Sequence, residues 1–355
     1  MSVPGAVHVI VPDSIDDPAR PSGGNVYDRR ICDELAAIGW RVHEYAAPGD
    51  WPKPDAVSRR ALTAELTRLA DGALVLIDGL IASAAADLPE FARRLRLVVL
   101  VHMPLAQKSD DGAGIRTTEA AALSAATAVV ATSTWTQQWL TEHYALEPGR
   151  IHTVEPGTDA AEPTPRTAEG RELLCVAAVT PAKGHDVLVA ALTEVSTLSW
   201  ACVCVGRVDI DTRFVARLQA EAEAGGIADR IRFVGVRTGA ELDATYAAAD
   251  LVVVGSRAET YGMVVTEALA RGIPVVATAV GGVPEALGHG ADQVRPGILV
   301  PPDDPHALAA ALRRWLSDRQ LRLRLRQAAM QRRDTLPSWA VTAGRLSEVL
   351  TTAAA

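Results

Sequence analysis

The chain has 355 residues, 48% of them apolar and 22% charged, and a formal net charge of −8. Its length suits two ordinary domains, and its composition is globular rather than disordered or fibrous. An acidic balance excludes the concentrated basic surface that broad binding to nucleic acid or anionic membranes requires.

No run approaches the ~20 apolar residues that span a bilayer. The opening MSVPGAVHVIVPDS lacks the basic-then-apolar order of an export signal. A cytoplasmic location is therefore the expectation.

In chain order, VHVIV (7–11) reads as a strand and NVYDRRICDELAAIG (25–39) as a helix. ALVLID (73–78), RLVVLVH (96–102) and TAVVATS (127–133) are further strands. Periodicity stops in EPGTDAAEPTPRTAEGRE (155–172), where proline, glycine and polar residues cluster and mark a boundary. Beyond it, ELLCVAAV, WACVCVG, RIRFVG, LVVVGS, PVVAT and GILVP repeat the pattern. Short strands alternating with helices predict right-handed βαβ units and parallel sheets. The unbroken apolarity of LVVV and LVVLV predicts strands covered on both faces. The expected fold class is α/β, with two doubly wound Rossmann-like domains, residues 1–160 and 161–335, facing each other across a cleft. A closing helix in 336–355 is free to pack back on the N-terminal domain.

The arginine-rich stretch RRWLSDRQLRLRLRQAAMQRR (313–333) predicts a solvated amphipathic helix, with a membrane-surface helix as the alternative. Cys32, Cys175, Cys202 and Cys204 lack zinc-ligand spacing and read as buried, reduced thiols. With no metal-ligand cluster in view, neither a metal nor another cofactor is expected.

Ligands of doubly wound sheets bind beyond the carboxyl ends of the strands, where loops open into helices. After LVVV the loop GSRAETYG opens a helix over about 262–271. Its first amides lack helical partners and suit a phosphate, which Gly262 lets approach closely. Glu259 and Glu267 in the same stretch are either acceptors for sugar hydroxyls or an ordinary helix-start carboxylate and a solvated one, and spacing leaves both open. Lys183, in the loop TPAKGHD, is one of three lysines with Lys53 and Lys108. It is either a cation for a diphosphate or simply exposed. Gly23 and Gly24 precede a helix, as a phosphate loop or a turn. His102 ends RLVVLV, as a structural hydrogen-bonder or a cleft residue. No GxGxxG follows a strand, which argues against a nicotinamide enzyme.

These loops, together with SGGNVYDRRICDELAAIGW, LVVLVHMP, VVATSTWTQQWL, VEPGTD, CVAAVTPAKGHDVLVAAL, RIRFVGV, ADLVVVGSRAETYGMVVTEALARGIPVVATAVGGVPEAL and GILVPPDDPHALAAAL, run from about residue 20 to 316. In them the chain resembles the retaining GT-B glycosyltransferases of the family 4 type, and Glu259 to Glu267 matches that family's glutamate–seven–glutamate motif. The resemblance implies metal-independent transfer of a sugar from a nucleotide diphosphate sugar to a hydroxyl-bearing acceptor, a small molecule or glycan. The expected path is front-face attack with the anomeric configuration retained. By the same resemblance, Glu259 holds hydroxyls of the transferred sugar. The backbone at Gly262, Met263 and Val264 holds the phosphates, and Glu267 holds the ribose. Lys183 neutralises the departing diphosphate, Gly23 and Gly24 form the loop that closes on it, and the segment around Arg237 meets the base. His102 contacts the donor sugar or orders the reacting groups.

One position departs from the pattern. Where the family carries an arginine five residues before the lysine, this chain has Ala178. Arg257 and Arg207 are the candidates to replace that cation. The alternatives are a GT-B sugar-nucleotide epimerase and, because of Ala178, a non-catalytic nucleotide-sugar-binding protein. The acceptor is expected on DSIDDPARPS (13–22) and MPLAQKSDDGAGIRT (103–117), whose acidic residues weigh against a strongly anionic molecule.

Overall fold

The computed structural model describes residues 5–107, 112–165 and 167–355. It divides into two compact units, Met1–Gly157 with Pro337–Ala355, and Thr158–Leu336.

The first unit begins with β1 (Ala6–Pro12), α1 (Gly23–Ala37), β2 (Arg41–Ala47), α2 (Ala56–Arg68) and β3 (Leu74–Asp78). The short helices α3 (Gly79–Ala82) and α4 (Leu88–Phe91) follow, then β4 (Arg96–Val101), α5 (Gly112–Ala125), β5 (Ala128–Ala131), α6 (Thr134–Tyr144) and β6 (Ile151–Thr153). All pairings are parallel, in the order β2-β1-β3-β4-β5-β6. β3 and β5 are buried throughout and β4 in all but its first residue, as unbroken apolar runs demand. Two strands carried no signal in the sequence, and both are sheet edges. β2, RVHEYAA, is polar and largely exposed, and β6 has only three residues.

The second unit contains β7 (Glu172–Val176), α7 (His185–Glu194), β8 (Ala201–Val205), α8 (Thr212–Ala224), β9 (Ile231–Phe233) and α9 (Gly239–Ala247). It continues with β10 (Leu251–Val254), α10 (Met263–Ala270), β11 (Val275–Thr278), α11 (Val283–Leu287), β12 (Gly297–Val300), α12 (Pro305–Ser317) and α13 (Arg319–Arg333). Its sheet is also parallel, ordered β12-β11-β10-β7-β8-β9. The order reverses between β7 and β10 here, and between β1 and β3 in the first unit. In doubly wound sheets such a reversal opens a crevice at the carboxyl ends of the strands.

The arginine-rich stretch is not the single solvated helix expected. Asp318 accepts from the Leu321 amide at 3.0 Å and starts a new helix, dividing the stretch between α12 and α13. Arg322 and Arg326 are only 7% and 8% exposed. Arg326 donates to Asp250 at 3.0 Å, and Arg322 to the Trp315 carbonyl at 2.8 Å. Helical spacing locates the leucines of this stretch, but it cannot reveal a buried Asp250 whose charge needs a partner.

The last helix, α14 (Trp339–Ala354), belongs to the first unit. Trp339 sits edge-on to Tyr27 with ring centroids 5.5 Å apart, and Trp40 Nε1 donates to Ser347 Oγ at 2.9 Å. Gly157 permits this docking, because a Cβ there would lie 2.5 Å from the Trp339 backbone. Among the described residues, no helix is long and apolar enough to cross a membrane.

Candidate functional site

In the second unit, the strands that flank the reversal carry Lys183 and Glu259. Lys183 closes the 3-10 turn Pro181–Lys183 after β7, and Glu259 lies in the loop after β10. The two loops touch backbone to backbone. Gly184 has φ +64°, and a Cβ on it would lie 1.9 Å from the Gly255 carbonyl oxygen. The Arg257 amide donates to the Ala182 carbonyl at 2.9 Å across the same contact. Lys183 Nζ consequently reaches Glu259 Oε1 at 2.5 Å, and Ser256 Oγ donates to that oxygen at 2.8 Å. Both side chains stay partly open, 29% and 16% exposed. A ligand that brings its own negative charge can compete with Glu259 for the lysine at such a partly open pair.

Gly262, at φ +92°, precedes α10 in a left-handed conformation, and no side chain caps the helix. The amides of Met263 and Val264 thus begin a helix without a protein capping group. The loop after β11 braces the turn from behind. The Gly282 amide donates to the Glu259 carbonyl at 3.1 Å, and a Cβ on Gly282 would lie 2.2 Å from the Thr260 carbonyl oxygen. Nothing in the spacing marked Gly255, Ser256 or Gly282 as part of this site.

Glu267 is not a solvated outer-face carboxylate. It is half-buried on α10, and Tyr246 Oη donates to its Oε2 at 2.8 Å. Burial raises its carboxyl above the usual range, opposed by the Tyr246 hydroxyl and the Arg271 guanidinium. Arg237 donates to Thr245 Oγ1 at 2.7 Å, on the helix that also carries Tyr246.

Ala178 lies in the turn after β7, pressed against backbone. A Cβ on Gly206 would be 2.9 Å from its amide nitrogen. The two candidate cations differ in how firmly they are held. Arg257 reaches Asp186 with both Nη atoms at 2.9 Å, Asp303 with Nε at 2.5 Å, and also the Pro181 carbonyl. It is a strut joining three loops. Arg207 grips Asp209 at 3.0 Å through two nitrogens, with the two side chains 26% and 67% exposed.

In the first unit His102 follows β4, with its side chain 14% exposed. Its Nε2 is 2.7 Å from Asp28 Oδ1 and 3.6 Å from Asp78 Oδ2. Gly23 and Gly24 do not precede α1 as expected. Ser22 Oγ accepts from the Asn25 amide at 3.0 Å and so places both glycines in the first turn. A Cβ on Gly24 would be 3.2 Å from His102 Cδ2, so the glycine makes room for the imidazole. Burial lowers the His102 pKa, pushes Asp28 up to about 7 and raises Asp78 well above the carboxylate range. Sequence reasoning missed both aspartates. The available signal was an acidic residue beside Tyr27 on the buried face of α1, and another ending a fully apolar strand.

Glu119, also fully buried, accepts from the Leu105 and Ala106 amides at 2.8 and 3.1 Å and anchors the segment that follows His102. Of the expected acceptor loop over 103–117, residues 108–111 lie outside those described. The other expected loop, 13–22, borders an open hollow of about 340 Å³ with Ile15, Pro18, Pro21, Val26 and Arg30.

Two doubly wound units, each with charged side chains near its reversal, define an α/β protein with its candidate sites at the ends of the strands. Residues 159–332 match the family described as Glycosyl transferases group 1, and residues 21–162 match Glycosyltransferase Family 4. The chain belongs to the family 4 glycosyltransferases of the GT-B fold.

It is 34% identical over 230 residues to a D-inositol 3-phosphate glycosyltransferase of Corynebacterium glutamicum, covering 60% of this chain and 54% of the relative. A protein of the same name from Salinispora arenicola is 36% identical over 234 residues, covering 59% of this chain and 51% of the relative. The chain thus spans about half the length of the curated relatives it matches. Among solved structures, sucrose-phosphate synthase from Thermosynechococcus elongatus has a TM-score of 0.79 at 23% identity, covering 98% of both chains. HepE of Anabaena, solved with UDP and glucose, has a TM-score of 0.76 at 18% identity, covering 98% of this chain and 99% of that one. At these identities the likeness shows the fold.

Proposed function

We propose that this protein is a retaining glycosyltransferase that moves a sugar from a nucleotide diphosphate sugar to a hydroxyl-bearing acceptor. The observation that carries this reading is the Lys183–Glu259 pair beside the uncapped start of α10. One spot there offers a cation and free amides to a diphosphate, and carboxylates to hydroxyls. In use, the diphosphate draws Lys183 away from Glu259, which frees the carboxylate for the hydroxyls of the transferred sugar. The Met263 and Val264 amides take phosphate oxygens, and Glu267, aligned by Tyr246, takes the ribose. The bond from the anomeric carbon to the phosphate oxygen breaks. A bond to the acceptor oxygen forms on the same face, and the acceptor proton passes to the departing phosphate. Stabilisation of that leaving charge comes from Lys183 and the α10 amides, with no metal in the scheme. Arg257 and Arg207 remain the two candidates for the cation that Ala178 removes. The hollow beside 13–22 is the acceptor subsite, and the protein works in the cytoplasm.

Thermal melting against UDP, GDP, ADP and their sugar conjugates, without metal, tests the donor site. A nucleotide at ~100 times its dissociation constant adds about 2.7 kcal/mol. UDP is the first probe because the HepE structure holds it. Glu259→Gln should cut transfer by about a hundredfold or more while nucleotide binding survives. Unchanged turnover in that variant would sink the assignment, and binding without turnover in the native protein would favour a nucleotide-sugar-binding protein instead.

A further inference from the structure

We infer that Asp28 and Asp78 hold a single proton between them and so keep His102 a neutral imidazole protonated at Nε2. Both aspartates are then positioning residues for the ring. The geometry starts from the 2.7 Å contact between His102 Nε2 and Asp28 Oδ1, in which the ring must donate if Asp28 is ionised. Asp28 and Asp78 are 3% and 4% exposed. Asp28 Oδ2 is buried with no hydrogen-bond partner, while Asp78 Oδ1 already accepts from the Leu80 amide at 2.5 Å as the cap of α3. Two bare carboxylates so placed repel each other in a low-dielectric corner. One proton on Asp78 removes the repulsion and supplies the donor that Asp28 Oδ2 lacks.

The order of protonation agrees. Burial raises both carboxyls, Asp78 further than Asp28, and lowers the imidazole. The groups facing this corner leave the balance intact. Arg29, which bears on Asp28, is itself paired with Asp16 and Glu44 at 2.7 Å. The Tyr27 hydroxyl donates to the Val154 carbonyl at 3.0 Å, and the Cys32 thiol is buried and pushed up. Trp339 of α14, uncharged, meets Tyr27. The chain Asp78–Asp28–His102 thus fixes the ring's tautomer and leaves Nδ1 as a lone-pair acceptor. On the glycosyltransferase reading, on which this role rests, that nitrogen accepts from a sugar or acceptor hydroxyl, which an imidazolium would not do.

Nitrogen-15 NMR of the full chain's imidazoles, with His102 assigned from the spectrum of His102→Gln, tests the protonation directly. At pH 8, above the value of about 7 to which Asp28 is pushed, His102 should be neutral and protonated at Nε2. In Asp78→Asn its titration midpoint should move by less than about 0.3 units, because an amide N–H replaces the carboxyl O–H. A fall of one unit or more would mean that Asp78 is ionised in the native protein, and would overturn the proposal. The three groups have ligand atoms within 4.8 Å of one another. If EDTA shifts the His102 signals and Zn²⁺ restores them, the cluster is a metal site and the shared proton is wrong.

With UDP-glucose as donor, Asp28→Asn and Asp78→Ala should lower kcat about tenfold with KM held within twofold, and Asp78→Asn should recover most of the loss. Equal defects in folded Asp78→Ala and Asp78→Asn would overturn the proposal. If no nucleotide sugar is turned over, the glycosyltransferase reading fails, while the NMR result still decides the proton.

Discussion

The two sheet reversals solve the same problem with opposite electrostatics. Between β7 and β10, the loops end in a cation and an anion that pair while staying partly open to solvent. Between β1 and β3, with His102 one strand further on, two carboxyls and an imidazole are packed almost out of solvent, and no cation pairs with them among the described residues. The first arrangement stores charge that a ligand can recruit, since the pair is partly open to solvent. The second pins one ring in one tautomer, since burial disfavours the charged form of each group. A doubly wound sheet places such corners by topology alone. What each does depends on how far water is shut out.

Glycine substitutions break the comparison most sharply. Gly184→Ala forces a Cβ to 1.9 Å from a carbonyl oxygen, at a left-handed φ. Neither loop can yield without dragging its strand, so a loss of about 3 kcal/mol and of nucleotide binding is expected, read by melting and calorimetry.

The buried corner should show itself in the pH dependence of stability. Asp28, pushed up to about 7, and Asp78 above it bind protons in the folded state that the unfolded chain releases near pH 4. Their contribution is present below that value and is lost as pH rises toward and through 7, by about 1.4 kcal/mol per unit for each extra proton held. Asp28→Asn should flatten this slope, and an identical slope in denaturant melts would remove the carboxyl pair as its source.

Lys183→Ala should weaken UDP binding about tenfold, near 1.4 kcal/mol, and more at low salt, by titration calorimetry. Unchanged affinity would take Lys183 out of the donor site. The smallest effect is expected from Gly24→Ala, whose Cβ meets a side chain at 3.2 Å rather than backbone. Stability should fall by less than about 1 kcal/mol, yet turnover should drop because the imidazole is displaced. A silent Gly24→Ala would show that His102 has slack.

Ten of the twelve strands among the described residues were legible, the central ones because buried parallel strands are written as unbroken apolar runs. β2 and β6 were not, because the first is polar and the second has only three residues, and each exists through its neighbour: β2 pairs with β1 over seven residues despite a polar sequence. At the candidate site, the motif from Glu259 to Glu267 was visible as residue types, and so were Lys183 and His102. Asp28 and Asp78 stayed hidden, fifty residues apart and each unremarkable in its own element.

Local chemistry is therefore what the sequence determined by itself. It set the alternation of strand and helix, the boundary near residue 160, the glycine that opens α10 and the carboxylates around it, since each depends on neighbours along the chain. Tertiary structure alone decided which charges meet. Lys183 lies 76 residues from Glu259, Arg326 76 from Asp250 and His102 74 from Asp28. Those pairings exist because parallel crossovers bring helices and loops distant in the chain against the ends of neighbouring strands, and burial there determines which protons are kept.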